Sequence, residues 1–169
     1  MKQSTADFDA REFRNALGCF ATGVTVITTV GPKREMVGIT ANSFSSVSLD
    51  PPLILFTLGR HAYSLKAFLA AEHFAVNVLR QDQQALSGRF AVALGDKWAG
   101  IDYEVWDSGC PVFPGALAAF ECRIRNTYDG GDHVIFVGEV RRMRCDDGGQ
   151  PLIFLRGGYG RYQPLADEE

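Results

Sequence analysis

The segment Val37-Gly38-Ile39-Thr40-Ala41-Asn42-Ser43-Phe44-Ser45-Ser46-Val47-Ser48 sets seven small polar or glycine positions among apolar ones, with no charged side chain. Ser, Thr and Asn compete for their own backbone groups, so a helix suits such a run poorly. Val37, Ile39, Phe44 and Val47 argue equally against an exposed, disordered stretch, and Leu49-Asp50-Pro51-Pro52 ends a strand. What remains is an extended segment that offers hydroxyls, a carboxamide and backbone N–H groups at the rim of a folded core. That surface fits a planar, uncharged, hydrogen-bond-rich heterocycle better than a metal or a nucleophilic reaction. The competing reading is a polar strand edge facing water, since strand residues alternate between faces.

Three other patterns could carry chemistry. Thr57-Leu58-Gly59-Arg60-His61-Ala62-Tyr63-Ser64 leaves an apolar strand through Gly59 and enters a helix, bringing hydroxyls, a guanidinium and helix N–H groups together as a phosphate site would. A plain strand-to-helix turn with a solvated Arg60 is the alternative. In Leu86-Ser87-Gly88-Arg89-Phe90, Arg89 could bind a second anion or cap its helix, and Phe90 could pack on a ring or on the core. Gly131-Asp132-His133 puts His133 at the mouth of a strand beside a glycine-rich hairpin, where a structural hydrogen bond competes with a catalytic role. Nucleophilic catalysis finds no Gly-x-Ser-x-Gly elbow. His61, His73 and His133 form no i, i+4 pair, so no metal site is expected.

The elements that must position these groups follow from periodicity. Asp9-Ala10-Arg11-Glu12 reads as a capping box, Phe8 and Phe13 as a hydrophobic staple, and Phe13, Ala16, Leu17 and Phe20 as one apolar helical face. Strands are expected at Val24–Thr29, Met36–Thr40, Leu53–Leu58 (buried on both faces) and Phe74–Leu79. Short helices are expected at Tyr63–Ala71 and, capped by Asp82, at Asp82–Phe90. The last third reads as all β: Phe120–Arg125, an Asp129–Asp132 turn, His133–Val140, then a second hairpin through Asp146–Gly149 into Leu152–Leu155.

Short strands, hairpin turns and no βαβ alternation argue for a mainly β fold, a small barrel with flanking helices. No Gly-x-Gly-x-x-Gly follows a strand and no P-loop occurs, so a nucleotide would need another architecture. The length suits one domain, residues 1–169, burying ~70% of its unfolded-chain surface. A net charge of −3 gives nucleic-acid binding no support, and Arg141-Arg142-Met143-Arg144 reads as a solvated strand face. No window suits a membrane span or a signal peptide. Cys19, Cys110, Cys122 and Cys145, widely spaced, read as reduced packing residues of a cytoplasmic protein.

Phe20-Ala21-Thr22-Gly23-Val24-Thr25-Val26, Gly38–Pro52, Phe74–Leu79, Leu86–Phe90, and Gly131-Asp132-His133 with Gly138-Glu139-Val140 stand in register over most of the chain. In these motifs and their order the sequence resembles the flavin reductase family of FMN-binding split-barrel proteins, in particular the short reductase components of two-component flavin-dependent monooxygenases. The resemblance spans a core of about 13–162 and implies a split β-barrel of Greek-key type. It implies an NAD(P)H-dependent flavin reductase that passes hydride from NADH or NADPH to FMN or FAD and supplies a separate monooxygenase. It also implies a homodimer with flavin at the subunit interface. Carried over by motif, Thr40, Ala41, Asn42 and Ser43 lie along the isoalloxazine. Thr57, Leu58, Gly59, Arg60 and Ser64, with Arg89 and Phe90, receive the phosphate end. His133 is the candidate catalytic residue, orienting the nicotinamide, and Tyr159 and Gly160 help to cover it. Ile39, Gly59 and Ser64 depart from the commonest family choices and leave FMN against FAD open. Two other readings stand beside this one: a non-catalytic flavin- or haem-binding split barrel, and a pyridoxamine-phosphate-oxidase-like enzyme.

Overall fold

The computed structural model describes residues 7–165, so the ten terminal residues of the expected 1–169 domain lie outside the described part. Its elements run α1 (Ala10–Leu17), β1 (Thr22–Gly23), β2 (Thr25–Val30), β3 (Met36–Ala41), β4 (Ser45–Leu49), β5 (Pro52–Gly59), α2 (Leu65–Ala70), β6 (His73–Val78), α3 (Gln84–Ala91), β7 (Glu104–Val105), β8 (Pro111–Val112), β9 (Ala118–Gly130), β10 (His133–Cys145), β11 (Leu152–Leu155) and β12 (Gly158–Arg161). Seven strands form an antiparallel sheet in the order β3-β2-β6-β9-β10-β5-β4, with a second sheet β1-β11-β12 beside it. The fold is mainly β, as expected, and among the described residues no helix is long and apolar enough to cross a membrane.

The β-branched run Thr25–Thr29 is buried throughout and forms the floor of the sheet. One core gathers Phe56, Phe68, Phe74 and Phe136, all with no exposed surface. Phe56 stacks on Phe136 at 4.9 Å and meets Phe74 and Phe68 edge-on at 5.0 and 5.5 Å, geometries that add to the area buried. A second core joins β2, α3 and β11 through Val24, Val26, Leu79, Phe90, Phe113 and Leu152. The sheet wraps so that its edge strands, β3 and β4, are joined by three residues, Asn42–Phe44. β4 pairs β5 only between Pro52 and Leu55, so Phe56–Gly59 lack a strand partner on that side among the described residues. There Ser43 steps in. Its hydroxyl accepts from Thr57 N (3.0 Å) and donates to Thr57 O (3.1 Å). A side chain thus completes a ladder that the backbone leaves open.

The Asp9 cap is realised in full: its carboxylate accepts from Arg11 N and Glu12 N, Glu12 accepts from Asp9 N, and the Phe8 and Phe13 rings meet at 5.4 Å. Four expectations need correction. β5 alternates rather than being buried on both faces: Ile54, Phe56 and Leu58 are buried, while Leu53, Leu55 and Thr57 are only half-buried. Asp82 does not cap α3, because a 3-10 turn at Gln81–Gln83 precedes it, closed by Gln83 Oε1 accepting from Arg80 N. The second hairpin does not form. β11 leaves β10 and pairs instead with β1 and β12, since Leu152 is drawn into the second core and exchanges backbone bonds with Leu79 and Val24. Nor is the basic run simply solvated: Arg142 lies 4.3 Å over the Trp106 ring, and Arg144 binds Glu104 and Phe113 O.

β9 and β10, thirteen residues each, are roughly twice the length expected, and two register shifts bend β10 around the core. At the first of these sits Gly138, where a Cβ would stand 2.4 Å from Phe74 Cζ and 3.0 Å from Cys122 Cβ. We expect Gly138→Ala to lower unfolding free energy by about 1–3 kcal/mol, as overpacking does, measured by urea denaturation. Phe74→Leu in the same background should recover part of the loss.

Candidate functional site

β3 and β5 are in contact, and part of the predicted set, Thr40–Ser43 with Thr57–Gly59, lies on these two strands and the Asn42–Phe44 connection. Each is held differently. Thr40, near the end of β3, donates its hydroxyl to Ser87 O at 2.6 Å, while Ala41 O accepts from Thr25 Oγ1 at 2.7 Å. With the Ser43 hydroxyl committed to Thr57, Asn42 is the exposed member of the Thr40–Ser43 segment. Three fixed neighbours therefore present one free carboxamide.

Along β5 the strand alternation divides the phosphate segment. Leu58 is buried in the first core, so only its backbone can serve a ligand. Gly59 sits across from His133 in the β5–β10 ladder, and a Cβ there would lie 3.7 Å from His133 Nε2. Arg60 is tied to the β9–β10 turn: Nη2 binds Asp129 Oδ1 at 2.5 Å and Nε donates to Gly131 O at 2.7 Å. That guanidinium holds the Asp129 carboxyl below its usual range, so an anion at Arg60 would share it with a carboxylate. Ser64, at the N-cap position of α2, has no side-chain cap bond, and its hydroxyl is left for another partner.

Two cavities adjoin Thr40 and Ser64, and neither is lined by Ala41–Ser43 or by Thr57–Arg60. The smaller, about 280 Å³, has Ile39 and Thr40 on one side, His61–Ser64 on another and Phe90–Ala93 with Lys97 on the third. The larger, about 540 Å³, runs on past Met36–Gly38 and Trp98, and the two share Tyr63, Ser64, Ala93 and Lys97. Both lie at or near the size of small-molecule sites, ~300–1,000 Å³. Phe90 needs a correction. Its ring is 1% exposed, wedged between Trp98 (4.9 Å) and Phe113 (5.5 Å), so it walls the cavity from the core and offers no free stacking face. Arg89 is exposed on the last turn of α3 and lines neither cavity.

His133 opens β10 on the exposed rim, its Nδ1 2.7 Å from Asp132 Oδ1. This bond lowers the Asp132 carboxyl below its ordinary value and leaves Nε2 as the ring's outward nitrogen. Tyr159 is anchored elsewhere. Its hydroxyl shares a 2.8 Å hydrogen bond with Ser87 Oγ and its ring meets Phe154 at 5.6 Å, while Gly160 pairs with Ile153. Within one chain Tyr159 therefore belongs to the Thr40 side, through Ser87, and His133 to the Gly59 side.

Sequence reasoning missed Lys97 and Trp98, and within the Thr57–Ser64 segment it did not single out His61 and Tyr63, which line the smaller cavity. Lys97 matters most. Its ammonium is half-buried, donates to Gly38 O (3.2 Å) and Phe90 O (3.3 Å), and forms no ion pair among the described residues. Burial lowers its pKa, and a third N–H remains for an anion. A lone Lys in the Gly95-Asp96-Lys97-Trp98 loop carries no periodic signature. Its neighbourhood exists only because Trp98 folds back, donating Nε1–H to Met36 O at 3.0 Å. The groups present suit a flavin: an exposed carboxamide at Asn42, an uncapped hydroxyl at Ser64 and, among the described residues, an unpaired cation at Lys97 on the wall of both cavities.

Residues 17–163 match the model for the flavin reductase like domain. The chain is 49% identical over 154 residues to the FMN reductase (NADH) SmoA of Agrobacterium fabrum, covering 91% of this chain and 87% of that protein. It is 40% identical over 162 residues to HsaB of Mycobacterium tuberculosis, the reductase subunit of a flavin-dependent monooxygenase (95% and 86%). Two relatives from Rhizobium meliloti are longer, and the chain spans 66% and 49% of them. Among solved structures, the Streptomyces globisporus C-1027 NADH:FAD oxidoreductase SgcE6, in complex with NAD and FAD fragments, superposes with a TM-score of 0.89 at 38% identity, over 98% of this chain and 99% of that one.

Ser43→Ala removes both contacts to Thr57 and strands its amide. We expect a loss of about 1–3 kcal/mol and faster hydrogen exchange at Thr57 N–H, with exchange in β2 and β6 unchanged.

Proposed function

The chain belongs to the flavin reductase like family, and on that premise we propose that it is an NAD(P)H:flavin oxidoreductase that passes hydride from reduced nicotinamide to FMN or FAD, with NADH as donor. The single observation that carries this reading is the set of unengaged side chains about Thr40: Ser64 and Lys97 line, with Thr40, a cavity of about 280 Å³, and Asn42, two residues along the chain, is exposed. NADH is the donor in the names of SmoA and SgcE6, and both FMN and FAD occur among them.

Flavin and nicotinamide supply the redox chemistry when bound, so the protein needs neither nucleophile nor metal for it. Asn42 and the backbone of Thr40–Ser43 hold the polar edge of the ring system and stabilise negative charge there. Thr57–Arg60, Ser64 and Lys97 take the phosphate end, and Arg89 stands nearby on the surface. His133, oriented by Asp132, positions the nicotinamide, and Tyr159 with Gly160 covers the opposite flank. Contact between the two rings is the protein's main contribution to rate.

The protein works as a homodimer. Phe13, Leu17 and Phe20 on and after α1, with Val47 and Leu49 on β4, are exposed in the single chain, Leu49 almost completely. Exposed apolar side chains on two elements suit burial against a second copy of the chain. The one domain covers the described residues. Its product, reduced flavin, passes to a separate monooxygenase component, the arrangement that the name of HsaB records. Four free cysteines, two of them buried, suit a reducing, cytoplasmic setting.

Loss of reduced-nicotinamide absorbance, with NADH and NADPH crossed against FMN, FAD and riboflavin, tests the activity; absence of oxidation with every flavin sinks it. Asn42→Ala should weaken flavin binding roughly fivefold, the worth of about 1 kcal/mol for one hydrogen bond, with the KM for NADH little changed. His133→Ala should raise the KM for NADH and leave flavin affinity intact; equal losses in both variants would contradict this division. Sedimentation should give about twice the 18.5 kDa chain mass, and Phe20→Asp should shift it to monomer.

A further inference from the structure

The hairpin that carries His133 is held from outside its own two strands. Gly130 and His133 pair across it, so Gly131 and Asp132 alone make the turn, with Gly131 at a φ of +76°. Such a turn sets strand register, yet the tip it leaves is exposed, Asp132 and His133 included. Arg60, the first residue after β5, reaches over that tip with three groups. Its backbone N–H donates to Asp132 O at 2.8 Å, its Nε to Gly131 O at 2.7 Å and its Nη2 to Asp129 Oδ1 at 2.5 Å. The same Asp129 oxygen accepts from Gly131 N at 3.1 Å. The two peptide planes that flank Asp132 are thereby fixed, and the Asp132 carboxylate meets His133 Nδ1 at 2.7 Å. Asp129 thus acts on the imidazole at one remove, through Arg60 and the turn. A planar guanidinium suits the task, because its N–H groups diverge at set angles and serve a carbonyl and a carboxylate together.

We propose that Asp129 is a positioning residue for the nicotinamide step: with Arg60 it clamps the Gly131–Asp132 turn and so sets the direction in which His133 Nε2 points. The proposal rests on the reductase reading for what His133 meets, and it gives Arg60 a duty on the electron-donor side, apart from the phosphate end. No proton or electron passes through the clamp. Its part is geometric: an exposed hairpin tip would otherwise sample several orientations, and His133 would meet the nicotinamide in only some of them.

Asp129→Asn keeps the side chain's size and weakens the clamp, and Arg60→Lys keeps the charge and removes the fork. Each should raise the KM for NADH about 3- to 5-fold, the worth of one exposed charge pair. In Asp129→Asn, kcat and the dissociation constant of flavin should stay near wild type; an equal loss of flavin affinity overturns the proposal. Riboflavin, which has no phosphate, separates the two duties of Arg60. The rise in Arg60→Lys must persist with riboflavin as acceptor, and a loss confined to FMN overturns the clamp. Because Asp129 acts through His133, Asp129→Asn combined with His133→Ala should have the KM for NADH of His133→Ala alone, and additive losses contradict it. Both clamp side chains are exposed, so folding should survive, and far-ultraviolet circular dichroism checks it. A readout free of turnover is the His133 imidazole in two-dimensional NMR. Its signals should shift or broaden in Asp129→Asn while those of His73, on β6, stay in place; an unmoved His133 overturns the clamp. A wild-type protein that oxidises NADH with no flavin overturns the reductase reading, and the NMR comparison still decides the clamp.

Discussion

The rest of the site depends on a hydroxyl acting as a surrogate strand. β4 stops covering β5 at Leu55, and the backbone of Thr57 would face solvent with its donor and acceptor unpaired. Ser43 Oγ answers both at 3.0 and 3.1 Å. Unsatisfied backbone groups at a sheet edge invite other chains to pair, so a gap here needs a device of this kind. The β4–β5 ladder ends after four residue pairs, and β3 and β5 are left unpaired with each other. A single side chain extends that ladder just enough to keep the two walls in place and the space between them open.

Around that gap, groups divide by whether their bonds are already taken. Thr40, Thr57, Ser43 and Arg60 all have partners within the chain, which makes them fixed scaffolding first and ligand contacts second. Asn42, Ser64 and Lys97 have capacity to spare. A pocket built this way is preorganised, since the engaged groups orient the unengaged ones before a ligand arrives. The half-buried ammonium of Lys97 pushes in the same direction: its desolvation is unfavourable while no anion is present, and an arriving phosphate offsets it.

Much of this could be read along the chain. The Asp9–Glu12 cap, the β-branched run at Thr25–Thr29 and the polar Thr40–Ser43 segment are local patterns, and local patterns are what periodicity and capping rules report. The outcome differed wherever a contact distant in sequence decided it. Leu152 sits beside a strong turn signal yet prefers the core that Val24 and Leu79 complete, so β11 deserts β10. Phe90 looks like an exposed aromatic at a helix end until Trp98 and Phe113 enclose it. Leu58 falls in a site motif, but the strand's alternation points its side chain inward. Lys97 has no local signature at all, because its surroundings are assembled from Gly38, Phe90 and the α2 approach.

Ser87 ties the second sheet to β3 through two separate groups: its hydroxyl shares a bond with Tyr159 Oη and its backbone carbonyl accepts from Thr40 Oγ1. Ser87 is fully buried in the middle of α3 and acts as a rivet: its side chain grips β12, its carbonyl grips β3. Lifting β12 would therefore leave a buried hydroxyl on α3 without its partner, on the same residue whose carbonyl anchors Thr40. Four residues at the far end of the sequence thus help to fix the helix that walls the cleft.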